Sequence, residues 1–102
     1  MKITLKDKEY NLKITLRSYF VFEQITNHPF EIKTMFDNYA WMYSMLIANN
    51  KDCDLTFDDF IDIMDDEPNK INEFTEILQK ENERISLLNN KKDDSKGDTE
   101  GN

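Results

Sequence analysis

Residues 39–48 read YAWMYSMLIA, and nine of the ten are apolar, Ser44 being the exception. A helix that is apolar almost all the way round has to be covered almost all the way round. In a chain of 102 residues, 33% of them charged, that requirement sets the architecture. Either the neighbouring segments wrap this one or a partner does. The stretch is too short to cross a bilayer, which takes about 20 apolar residues. Asp37, Asn38, Asn49 and Asn50 also bracket it closely.

Working outward, Met35 and Phe36 extend the apolar pattern upstream, so the helix is expected over 32–48. Before it, Tyr19, Phe20, Val21, Phe22 and Ile25 suit a shorter helix over 16–26. Thr26-Asn27-His28-Pro29 ends that helix, because proline disfavours helical backbone at the residue before it. Residues 2–16, KITLKDKEYNLKITL, change the period to two. Ile3, Leu5, Tyr10, Leu12 and Ile14 fall on one face, which predicts a β-hairpin with one buried side. Its turn, near Asp7-Lys8, has no glycine, so the spacing does not promise a tight two-residue turn. A lone hairpin is marginal in water and has to pack on the helices.

Downstream, residues 55–66 read LTFDDFIDIMDD. Thr56 followed three residues later by Asp59 resembles a capping box, and Asp58 and Asp59 sit where the helix dipole favours acid. A helix is expected over 56–66, with Phe57, Phe60, Ile61 and Met64 as its buried stripe. Pro68 suits the first turn of a last helix over 68–88, in which Ile71, Phe74, Leu78, Ile85 and Leu88 recur at helical spacing. Glu81 occupies an apolar position of that stripe, so the last two turns are expected to project from the body. The tail NNKKDDSKGDTEGN, 89–102, has no large apolar residue and reads as disordered. The fold expected is mainly α: one domain over 1–88, a hairpin on a bundle of about four helices, then a polar tail.

The net charge of −8 is concentrated. Residues 51–67 hold eight acids against Lys51, or −7, which leaves −1 for the rest of the chain. Such a field repels nucleic-acid phosphates and anionic lipid, so neither is an expected partner. Cys53 is the single cysteine and cannot form an internal disulfide, which suits a reducing cytoplasm. The N-terminus lacks a basic stretch followed by an apolar run, so no secretory signal is expected.

Catalytic motifs fail one by one. The two glycines, Gly97 and Gly101, lie in the tail, so no phosphate-cradling loop is available. His28 and Cys53 are the single histidine and the single cysteine, too few for zinc and on different expected loops. Asp52, Asp54 and Thr56 alternate as in an EF-hand loop, but Phe57 and Ile63 stand where glycine and glutamate are required. No catalytic residue, cofactor or metal site is expected. By side-chain type, Tyr39, Trp41, Met42, Tyr43 and Met45 are the candidates for contact with a protein partner.

The order of parts resembles the tail assembly chaperones of long-tailed bacteriophages. EYNLKITLRSYFVFEQITNHPF, 9–30, and LTFDDFIDIMDD carry the likeness, which covers residues 1–88. The resemblance implies a small, acidic, mainly helical protein without enzymatic activity. It would bind the tape measure protein, keep it soluble in the host cytoplasm until the tail tube polymerises around it, and be absent from the mature virion. Contact with the tail tube protein and homo-oligomerisation are compatible with that role. Two alternatives stand beside it. One is an acidic DNA mimic, against which the confinement of acid to one segment counts. The other is a helical adaptor that binds a host or viral protein.

Overall fold

In the computed structural model the backbone is described over residues 1–100 and side chains over residues 1–89. Two strands and four helices follow in order: β1 (Lys2–Leu5), β2 (Lys8–Asn11), α1 (Leu16–Thr26), α2 (Met35–Ala48), α3 (Phe57–Asp66) and α4 (Lys70–Glu100). The mainly helical architecture with an N-terminal hairpin agrees with the pattern of the sequence. The tail expected to be disordered lies, from residue 90 on, outside the residues described with side chains.

The hairpin pairs Ile3 with Tyr10 and Leu5 with Lys8. Its turn is Lys6-Asp7, one residue earlier than expected, and it is tight in spite of lacking glycine. Both residues take left-handed backbone, φ 50° and 66°. That geometry matches the right-handed twist of the strands, and tertiary contacts support it. The Lys6 N–H donates to Glu67 at 3.1 Å and its ammonium meets Asp66 at 3.0 Å, tying the turn to the end of α3. β2 ends at Asn11 and the pairing closes with Met1 and Leu12, which exchange backbone bonds at 2.6 and 3.0 Å, short of the expected residue 16. Leu12 and Ile14 keep the alternation and stay buried as the chain runs into α1.

Each of the first three helices starts at a threonine. Thr15 and Ser18, Thr34 and Asp37, and Thr56 and Asp59 form three reciprocal capping boxes. The box at Thr56 was legible in the sequence. The box at Thr34 moves the start of α2 from the expected residue 32 to Met35. Pro68 lies in a turn ahead of α4 rather than in its first helical turn.

The apolar helix α2 is wrapped from within the chain. It packs chiefly on α1 and also on α3, and its buried residues belong to one core shared with the hairpin and α4. Ala40, Met42, Met45 and Leu46 are fully buried. Ser44 is buried too, and its hydroxyl donates to the Ala40 carbonyl at 2.6 Å, so it brings no unpaired polar group into the core. Trp41 lies among Tyr19, Phe22 and Phe30, with ring centroids 4.6–6.0 Å away. Phe30, from the loop after Pro29, covers the indole from the outside.

Glu81 corrects the expectation for α4. It is buried rather than marking the point where the helix leaves the body. Its carboxylate accepts the Ile14 N–H at 2.8 Å and pairs with Arg84 at 2.9 Å. The helix therefore stays docked through this turn. Leu87 and Leu88, a turn and a half later, are exposed.

Candidate functional site

Three of the five residues singled out for partner contact are used by the core. Met42 and Met45 have no exposed surface and Trp41 has 5%. Their side chains already pack against the rest of the chain, so they present nothing to a partner in this fold. Tyr39 and Tyr43 are partly buried. Tyr43 donates its hydroxyl to the Leu55 carbonyl at 2.6 Å, and burial pushes its pKa up. That bond ties the 49–56 connection to α2 and fixes where α3 begins. Of the five, Tyr39 lines an open groove on the surface.

That feature is a groove of about 420 Å³ between the N-terminal half of α2 and the apolar flank of α3. Met35, Phe36 and Tyr39 form one wall, Phe57, Ile61 and Met64 form the other, and Asp65 stands at the edge. Met35 is 77% exposed and Phe36 53%. Phe57 ties the walls together, with its ring centroid 5.4 Å from that of Phe36 and 5.3 Å from that of Tyr43.

Helical spacing from the Thr34 cap sorts the residues: Asp37 and Trp41 lie on the buried side, while Met35, Phe36 and Tyr39 line the groove beside α3. Residues 57, 61 and 64 then present the matching i, i+4, i+7 stripe. The sequence reading missed Met35 and Phe36 as contact residues. The Thr34-x-x-Asp37 pattern was the signal that would have placed them in the first, incompletely covered turn of α2.

The chemical candidates are not brought together. His28 donates toward Asp37 from Nε2 at 3.1 Å and toward the Pro29 carbonyl from Nδ1 at 2.7 Å. These acceptors, the carbonyl first, hold its pKa above the ordinary value. Asp37 is held below its ordinary value, mainly by the Lys33 N–H against the opposing effect of burial, with help from His28 and the Thr34 N–H. This is a loop clamp at the start of α2. Cys53 lies by a separate hollow lined by the second strand and residues 49–52, with no histidine in it. Among the described residues there is no cluster of three or more His, Cys, Asp or Glu that could hold a metal ion, and no helix long and apolar enough to cross a membrane.

Comparison of the chain with protein-family models, with curated proteins and with solved structures returned no match.

Proposed function

We propose that this protein is a non-enzymatic assembly chaperone that holds an apolar helix of a larger protein in the α2–α3 groove. The observation that carries the reading is the uncovered apolar surface at Met35 and Phe36, continuous with Tyr39, Phe57 and Ile61. Binding of an amphipathic helix in such a groove needs three or four apolar anchors and no chemistry. The resemblance to phage tail assembly chaperones names the partner as the tape measure protein, a long helical chain that needs cover until the tail tube forms. The acidic segment keeps such a complex soluble.

Co-expression with a tape-measure-like protein, a long helical chain, tests the reading. That protein should be soluble and co-purify with the wild-type chain, and it should aggregate when the chain carries Met35→Ser and Phe36→Ser. Both positions are exposed, so the variant should keep its helical circular dichroism and melting temperature. A tape-measure-like protein that is equally soluble without the chain would end the proposal. Abundant recovery of the chain from purified virions would favour a resident structural subunit instead.

A further inference from the structure

We infer that the groove selects helices that carry lysine or arginine along one flank of their apolar face, namely the flank lying against α3. This rests on the helix-holding reading above and specifies the partner's chemistry.

Phe57, Ile61 and Met64 form the α3 wall of the groove. Asp58, Asp62 and Asp65 each follow one of them by one residue, so they lie about 100° further round α3 and edge that wall from end to end. All three are exposed, and among the described residues none of them forms an ion pair. The neighbouring acids are engaged. Asp66 meets Lys6, Glu67 accepts the Lys6 N–H, and Asp59 closes the cap with Thr56.

The opposite wall is neutral. Met35, Phe36 and Tyr39 carry no charge, and Lys33, just ahead of α2, is paired with Glu31 at 3.5 Å. One charged edge facing one neutral edge makes the groove asymmetric across its width. An occupant helix therefore lowers its energy in one orientation, with its basic flank toward α3. A second copy of this chain is a poor occupant, because each copy brings −7 over residues 51–67. Exposed ion pairs contribute little each, so apolar burial supplies the affinity and the acidic stripe supplies the discrimination.

Two fluorescent 20-residue helical peptides test this, with identical leucine faces and either lysine or glutamate along one flank. Fluorescence anisotropy against the full chain is the readout. The lysine peptide should bind roughly tenfold tighter in low salt, the sum expected of three exposed pairs. The ratio should approach one in the triple variant D58N/D62N/D65N, or when salt shortens the screening length to about 3 Å. M35S/F36S should abolish binding of the lysine peptide. Equal binding of both peptides, lost in M35S/F36S, overturns the charge inference and leaves the groove as a helix site. Lysine-peptide binding that survives M35S/F36S is diffuse attraction and also overturns it. Failure of both peptides to bind at any salt overturns the inference and the helix-holding reading together.

Discussion

Glu81 reaches from the middle of α4 to the backbone of Ile14, whose N–H it accepts at 2.8 Å. The residues are 67 apart in the chain, and this bond seals the point where the hairpin ends and α1 begins. Arg84 completes it, pairing with Glu81 and reaching the Ile14 carbonyl at 3.5 Å. The acid is therefore a connector between the two ends of the fold.

Replacing Glu81 by alanine should cost about 2–4 kcal/mol in urea unfolding, because it leaves the Ile14 N–H buried without a partner. Burial pushes the Glu81 carboxyl up, but Arg84 and the Ile14 N–H outweigh it and the group ends below its ordinary value of 4.5. A lowered folded value stabilises above the unfolded value, and the contribution is lost as pH falls through the folded one. The urea midpoint should therefore drop on acidification below about pH 4.5, and the drop should be shallower in E81Q. Parallel pH profiles for the two proteins would contradict this.

The His28 clamp should titrate above its ordinary 6.5 in an NMR experiment, since both ring nitrogens face acceptors and only the imidazolium can donate from both. A raised folded value stabilises fully below the unfolded value and is lost as pH rises through the folded one. Asp37→Asn should move the midpoint down. An unmoved midpoint would assign the shift to the Pro29 carbonyl alone.

Asn50 covers the outer edge of β2. Its amide accepts the Asn11 N–H at 3.0 Å and donates to the Asn11 carbonyl at 2.8 Å, and Asn49 donates to the Lys13 carbonyl at 2.7 Å. Asn50→Ala should cost about 1–2 kcal/mol and selectively speed hydrogen exchange at Asn11. Unchanged exchange at Asn11 would show that the edge is covered by something other than this amide.

Trp41→Ala should lower stability by about 3–5 kcal/mol, the cost of emptying a packed aromatic site. Met42→Lys should prevent folding, because it buries an unpaired charge. Phe36→Ser should leave the melting temperature nearly unchanged, because Phe36 is half exposed. Thermal melts of the three variants separate core from surface. A well-folded Trp41→Ala protein would return the indole to the list of surface candidates.

The start of α3 and the hairpin's faces were readable because they depend on local chemistry. Thr56 and Asp59 sit three apart, and Ile3, Leu5, Tyr10, Leu12 and Ile14 alternate. The tight turn at Lys6-Asp7 was not readable. Glu67 and Asp66, about 60 residues away, hold the lysine there, and no local pattern records them.

The same division holds for the site. The sequence by itself determined that 39–48 had to be enclosed, since nothing so apolar is stable in water on every side. It also placed the acidic stripe beside the apolar stripe of α3, because both follow from helical spacing alone. Which face of α2 remains open was decided only by the tertiary structure. Trp41, Met42, Met45, Met35 and Phe36 are alike in type, and type cannot rank them. Tyr19, Phe22 and Phe30 cover Trp41, the shared core encloses Met42 and Met45, and Met35 and Phe36 are left exposed beside α3. Burial is a property of what packs against a residue, and that is settled between segments distant in the chain.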